Sequence, residues 1–130
     1  MLTQAERQAL QRWLEAERER LRGVIRELDE EVEALTAEAT ERATLGDHVA
    51  DVGSDDYAPE QVLTLERHER ALLDQIEHAL ARLREGTYGR CERCGQEIPV
   101  ERLAAIPYAS LCLRCQAAVD RAAGRLSLQQ

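Results

Sequence analysis

The sequence predicts a mainly α-helical protein: a long antiparallel two-helix coiled-coil hairpin, then a small zinc-finger head built on four cysteines and a C-terminal helix. Three observations indicate this fold. Apolar residues recur at alternating steps of four and three residues in two segments. An acidic stretch containing Gly and Pro separates the two segments. Two Cys-x-x-Cys pairs follow the second segment and predict a separate small module.

The first helix is predicted from about residue 4 to about residue 45. Thr3 and Glu6 form a capping-box pattern, in which each side chain accepts a hydrogen bond from the other residue's backbone N–H. The coiled-coil seam follows at Leu21, Ile25, Leu28, Val32, Leu35 and Ala39. Gly23 is the weak point of this helix, because glycine lowers helix stability.

The acidic stretch over about residues 46–58 is predicted to be the tip of the hairpin. Pro59 suits the first turn of a second helix, which we expect over about residues 59–85. Gly86 and Gly89 end that helix. Its predicted seam is Val62, Leu65, Leu72, Ile76, Leu80 and Leu83, with Glu69 also in the seam.

The two helices differ in length, which predicts how the chain is divided. Residues up to about 18 extend beyond the end of the second helix and are expected to pack on the head, with Trp13 as an anchor. We therefore expect a hairpin over residues 1–85 and a zinc-finger module with a C-terminal helix over residues 86–130.

The four cysteines predict one structural zinc ion. Cys91 and Cys94 bracket a tight turn, and Cys112 and Cys115 supply the second pair. Four thiolates form a closed tetrahedral site without an open position for water, so a catalytic zinc is excluded. The alternatives are disulfides or a redox-active pair, which metal analysis would distinguish. No nucleophile with a base and no phosphate-binding loop is present, so we do not expect an enzyme.

The charge distribution argues against nucleic-acid binding by the hairpin. The chain carries a formal net charge of −8. Residues 1–81 hold nine Arg and twenty acidic residues, whereas residues 82–125 hold eight Arg and five acidic residues. A phosphate backbone needs neutralising positive charge, which the hairpin lacks. The apolar runs are too short to cross a membrane and no signal-peptide pattern is visible, so we expect a cytoplasmic protein without a membrane partner.

From Gly86 onward, the sequence Gly-Thr-Tyr-Gly-Arg-Cys-Glu-Arg-Cys-Gly-Gln-Glu-Ile-Pro and the later Cys-Leu-Arg-Cys closely resemble the DksA/TraR zinc-finger family. The match includes six residues that zinc does not require: Tyr88, Gly89, Ile98, Arg102, Leu103 and Pro107. The preceding hairpin resembles the coiled coil of the longer, DksA-like members.

This resemblance implies a function for the tip. Full-length members bind bacterial RNA polymerase directly and not DNA, and their coiled coil enters the secondary channel with acidic residues near the active site. The corresponding candidates here are Asp47, His48, Asp51, Asp55 and Asp56. The family's tip pattern is Asp-x-x-Asp-x-Ala; Asp51 matches it, whereas His48 replaces the first Asp and Gly53 the Ala. Taken alone, aspartates are also common in turns and caps, so a purely structural role stays open.

The resemblance also bears on regulation and on the alternatives. Some members use basic residues on the second helix and after the last cysteine to bind ppGpp; this chain has His68, Gln75 and Gln116 there, so we expect weak or absent ppGpp synergy. We expect a monomer. The alternatives to transcription regulation are Gre-like stimulation of transcript cleavage and a zinc-stabilised interaction protein whose partner is not the polymerase.

Overall fold

The computed structural model describes residues 1–44 and 57–128, and its regular structure there is helical. Within these two ranges lie four helices: α1 (Gln4–Thr44), α2 (Tyr57–Glu85), α3 (Val100–Ala105) and α4 (Leu113–Leu128). In these two ranges the β-structure is one isolated antiparallel bridge between Arg90 and Glu97. The predicted fold class, a two-helix coiled-coil hairpin with a four-cysteine head and a C-terminal helix, is confirmed.

The capping box at the start of α1 is confirmed. The backbone N–H of Glu6 donates to Oγ1 of Thr3 at 3.1 Å, and the backbone N–H of Thr3 donates to Oε1 of Glu6 at 3.0 Å. These bonds satisfy N–H groups that would otherwise lack a partner at the helix start.

The chain divides into two compact units, and α1 and α2 each contribute to both. The unit Arg18–Asp74 contains a helix pair, and the side chain of Arg70 on α2 reaches Asp29 on α1 at 3.0 Å. Leu21, Ile25 and Leu28 are buried on α1, at the spacing that the seam predicts.

The seam of α2 in this unit differs from the prediction. Leu65 is 47% exposed, so its predicted place in the seam is wrong. The side chain of Glu66, one residue later, is only 13% exposed and takes that place. From Val62 to Glu66 and on to Glu69 the steps are four and three residues, which is the spacing of a coiled-coil seam. The seam therefore contains two carboxylates, the predicted Glu69 and, in place of Leu65, Glu66.

The other unit comprises Met1–Glu17 and Gln75–Gln130. Its largest fully buried side chains are those of Leu14, Ile76 and Leu103. Trp13 is 43% exposed, so the prediction that it anchors the packing is wrong; Leu14, the next residue, faces inward instead. Burying such a Leu stabilises a fold by about 1.5–3 kcal/mol, relative to leaving it exposed.

Candidate metal centre

The first cysteine pair follows α2 through two glycine turns. Gly86 and Gly89 have φ angles of 80° and 90°, a left-handed backbone that other residues rarely adopt. A side chain at Gly89 would also meet Leu2, because its Cβ would lie 3.3 Å from a methyl carbon of that residue. These turns bring the chain from the helix end to Cys91.

The turn between Cys91 and Cys94 is held by backbone hydrogen bonds. The N–H of Gly95 donates to the carbonyl of Cys91 at 3.0 Å, and the N–H of Cys91 donates to the carbonyl of Gln96 at 2.8 Å. Gly95 has a φ of 77°, a left-handed backbone conformation that glycine adopts readily. The turn therefore directs both cysteines toward the same point.

The second cysteine pair lies at the start of α4. Cys112 immediately precedes the helix, and Cys115 is in its first turn. The backbone N–H of Cys115 donates to Sγ of Cys112 at 3.4 Å. N–H groups in the first turn of a helix have no acceptor within the helix, and their partial positive charge stabilises a thiolate.

The four sulfur atoms fit a zinc ion. All four Sγ atoms lie within 4.8 Å of one another, and those of Cys94 and Cys112 are 3.9 Å apart. Zn–S bonds of about 2.3 Å in a tetrahedron require sulfur–sulfur separations of about 3.8 Å. Small adjustments therefore complete the site, and one structural Zn²⁺ is the cofactor that this donor set selects.

Protonation of the thiols opposes metal binding to different degrees. Burial acts to raise the pKa of Cys91, but nearby backbone N–H groups outweigh it and lower that pKa to about 6. The N–H of Cys115 lowers the pKa of Cys112. Hydrogen bonding to Cys112, together with burial, raises the pKa of Cys115 to about 12. The metal-free site thus holds protons that zinc must displace.

A buried hydrogen bond between Tyr88 and Pro107, both outside the cysteine pairs, connects two segments of the zinc module. The buried Tyr88 donates its hydroxyl to the carbonyl of Pro107 at 2.7 Å. Burial raises the pKa of Tyr88 to about 12, although the nearby Arg82 acts in the opposite direction. Tyr88 was singled out only by the family resemblance, and its role depends on a contact between residues far apart in sequence.

Arg82 was not predicted to have a role, yet it is a buried charged residue, only 6% exposed. Its guanidinium donates to the carbonyl of Thr87 at 2.8 Å and also to the carbonyl of Arg90. Its own carbonyl accepts the N–H groups of Thr87 and Tyr88. Arg82 thereby fixes the chain between α2 and the first cysteine. The signal that could have revealed it is its place on the face of α2 that carries the buried Ala79.

Glu92, between the first two cysteines, connects this turn to α2. Its carboxylate contacts His78 and lies 3.6 Å from Nε of Arg82. Its backbone N–H donates to the carbonyl of Ser110 at 2.9 Å, close to the second cysteine pair.

The structure brings together the four predicted zinc ligands. The five predicted tip residues, Asp47, His48, Asp51, Asp55 and Asp56, lie outside the described residues. Among the residues that are described, no helix is long and apolar enough to cross a membrane.

Comparison with known proteins extends the similarity beyond the metal centre. The prokaryotic dksA/traR C4-type zinc finger matches residues 86–121. The RNA polymerase-binding transcription factor DksA of Escherichia coli (strain K12) is 34% identical over 119 residues, which cover 88% of this chain and 72% of that protein. The chain belongs to the DksA/TraR family.

Two further relatives are similar to shorter parts of this chain. General stress protein 16O of Bacillus subtilis is 41% identical over 93 residues, or 69% of this chain and 56% of that protein. An uncharacterised protein of Aquifex aeolicus is 45% identical over 74 residues, or 57% of this chain and 51% of that protein. The chain thus spans about half the length of these two relatives.

A solved structure supports the fold over nearly the whole chain. The transcription factor DksA2 from Pseudomonas aeruginosa aligns with a TM-score of 0.73 and 30% identity, covering 91% of this chain and 85% of that one. The hairpin as well as the zinc module is therefore of the DksA type.

Proposed function

We propose that this protein is a non-enzymatic transcription regulator that binds bacterial RNA polymerase directly in the cytoplasm. The observation that carries the proposal is the extent of the likeness to DksA, which covers 88% of the chain and so includes both the hairpin and the zinc module. A shared zinc finger alone would support a metal site and not a partner. The relatives named DksA are RNA polymerase-binding transcription factors, and not enzymes.

In this proposal the hairpin enters the secondary channel of the polymerase, and the tip acts there. Asp51 is the tip carboxylate that matches the family pattern, with Asp47, Asp55 and Asp56 as neighbouring carboxylates. His48 and Gly53 depart from that pattern, so we expect a weaker effect on initiation than the best-known members have. The zinc ion is structural, because four thiolates leave no open coordination position.

We also propose that ppGpp has little effect through this protein. A cavity of about 480 Å³ lies on the zinc-module unit and is lined in part by Gln75, Arg102, Gln116 and Asp120. Gln75 and Gln116 are neutral, and Gln116 donates to the carboxylate of Asp120 at 3.0 Å. Nε of Arg102 donates to the carbonyl of Leu111 at 3.0 Å. A polyanionic nucleotide would meet one guanidinium, the imidazole of His78, which already contacts Glu92, and an opposing carboxylate, which is weak electrostatic complementarity.

The deciding experiment is co-purification with core RNA polymerase. We expect the zinc-loaded protein to bind the core enzyme with a stoichiometry of about one copy each. A variant lacking residues 46–58 with a short Gly-Ser connection tests the tip, while metal content and helical circular dichroism confirm that the rest of the protein is folded. Absence of binding by the intact protein would favour the other class of function, a zinc-stabilised interaction protein with a different partner.

A second measurement separates the two polymerase-dependent functions. Asp51→Asn is compared with the intact protein in an initiation assay and in a transcript-cleavage assay. Loss of a cleavage effect alone would favour Gre-like stimulation, and loss of an initiation effect would favour the proposed regulation. If binding persists and Asp51→Asn alters neither reaction, the proposed role of the tip is wrong.

A further inference from the structure

The unit Arg18–Asp74 contains a group of charged side chains at and beside the seam between α1 and α2, where apolar side chains would be more stable. Nε of Arg70 donates to Oε1 of Glu66 at 2.8 Å, one helical turn earlier on α2. Nη2 of the same guanidinium donates to Oδ2 of Asp29 on α1 at 3.0 Å. One side chain thus connects a seam carboxylate on its own helix with a carboxylate on the other helix. We call Asp29, Glu66, Glu69 and Arg70 the charged layer.

The charged layer is costly for stability. The side chain of Glu66 is only 13% exposed. Oε2 of Glu69, the next seam position, is buried and has no hydrogen-bond partner within the described residues. A buried oxygen without a partner destabilises the folded state, and the ion pair repays little because both Asp29 and Arg70 are about half exposed, at 46% and 51%.

The charged layer is nevertheless specific for one alignment of the helices. Sliding one helix by a heptad keeps its apolar seam facing the other helix, so apolar contacts discriminate poorly between such registers. In the observed register Arg70 meets Asp29. A slide of one heptad in either direction would place Arg70 opposite Arg22 or Thr36. The first would bring like charges together, and the second would leave the guanidinium without its cross-helix carboxylate.

We propose that the charged layer sets the register of the hairpin at the expense of stability, and that Arg70 is its positioning residue. The register decides which residues of the chain form the connection between α1 and α2. Its importance for transcription rests on the proposed function, because that function assigns activity to this connection; the register itself is a property of the free protein.

The test compares stability and register in the same zinc-loaded variants. Spin labels are introduced through unnatural amino acids at the exposed Ala37 and Gln61, which leaves the four cysteines for the metal. In the intact protein we expect a single narrow distance distribution by pulsed electron paramagnetic resonance. In the variant Glu66→Leu/Glu69→Leu/Arg70→Gln we expect a higher melting temperature and a second population. That population should be displaced along the helix axis by about 10 Å, the length of one heptad.

A single substitution tests the cross-helix contact by itself. Asp29→Asn removes the carboxylate and is expected to broaden the distance distribution, whereas the matched Glu30→Gln, at an exposed neighbour, should leave the distribution unchanged. A purely stabilising layer would instead give a lower melting temperature with one unchanged distance in the triple variant, and that result would overturn the proposal. An unchanged distance in the triple variant at any melting temperature overturns it too.

Transcription assays with the intact protein separate the register proposal from the proposed function. If the intact protein has no effect on transcription but the triple variant populates two registers, the proposed function fails and the register proposal stands. If the triple variant keeps one register while the intact protein regulates transcription, the reverse conclusion holds.

Discussion

Tyr88 donates its hydroxyl to the carbonyl of Pro107 at 2.7 Å, and this bond joins the segment before the first cysteine pair to the segment before the second. Both residues are buried. The contact therefore depends on the folded module and reports on its integrity.

Replacing Tyr88 by Phe removes this bond and leaves the buried carbonyl of Pro107 without a donor. We expect Tyr88→Phe to lower the free energy of unfolding by about 1–3 kcal/mol. Urea unfolding of the zinc-loaded protein measures it. Tyr108→Phe is the matched control, because Tyr108 is less buried, and an equal loss in both variants would contradict this role of the Tyr88 hydroxyl.

Alkaline pH should weaken the module through the same side chain. Burial raises the pKa of Tyr88 to about 12, above the ordinary value of 10.0. The folded state therefore retains a proton that the unfolded state loses, so this contribution to stability is complete below about pH 10 and disappears as the pH rises toward 12. Titration of phenolate absorbance should show a late-titrating component that is absent from Tyr88→Phe. A phenolate titration of Tyr88 at the ordinary pH would refute this.

Zinc removal should unfold the cysteine module while much of the helical signal remains. We expect one equivalent of zinc in the purified protein, and proton release when the metal is returned, because free cysteine thiols are largely protonated near neutral pH and bind zinc as thiolates. Zinc affinity should consequently fall as the pH falls. Calorimetry in buffers of different ionisation enthalpy measures the protons released. Less than half an equivalent of bound metal, or binding without proton release, would contradict the assigned site.

Arg82 should contribute more to the free energy of unfolding than the exposed Arg84 on the same helix. Arg82→Gln removes charge-assisted bonds to two backbone carbonyls, and we expect it to reduce the free energy of unfolding by about 1.5–3 kcal/mol. Arg84→Gln is the control, since Arg84 is exposed and the change should have little effect. Denaturant unfolding of both zinc-loaded variants measures these free energies. Equal stability of the two variants would show that the buried guanidinium of Arg82 does not contribute to stability.

A gain-of-function variant examines the proposed insensitivity to ppGpp. Gln75→Lys/Gln116→Lys places two cations at the cavity that now holds neutral amides. We expect the double variant to strengthen the effect of ppGpp on polymerase-dependent transcription, while the intact protein shows little dependence. Lysines at two exposed positions of α2, Gln61 and Ala71, provide a control for added charge. Strong ppGpp dependence of the intact protein would show that the proposed insensitivity is wrong.

Local patterns in the sequence predicted the parts of the fold that depend on neighbouring residues. The capping box of Thr3 and Glu6 and the four clustered cysteines follow from spacing and chemistry alone. The family resemblance added the prediction that the two helices form a coiled-coil hairpin of the DksA type. The likeness to the DksA2 structure supports the same arrangement of elements.

Side-chain orientation was less predictable because it depends on the partner surface. An apolar repeat placed Leu65 in the seam, but Leu65 is 47% exposed, whereas the side chain of Glu66 is only 13% exposed. The guanidinium of Arg70 pairs both with Glu66 and with Asp29 on the other helix. Trp13 is similarly more exposed than Leu14. The role of Arg82 depends on carbonyls five and eight residues away, which sequence spacing does not reveal.

The bond from Tyr88 to Pro107 also has a thermodynamic consequence for the metal. It closes a loop of nineteen residues that contains the first cysteine pair and ends just before the second. Closing a flexible loop costs conformational entropy, which grows slowly with loop length. Because zinc binding and the closing of this loop belong to one folding step, any stability that the Tyr88 hydroxyl gives to the folded module also favours zinc binding, although the hydroxyl is not a zinc ligand.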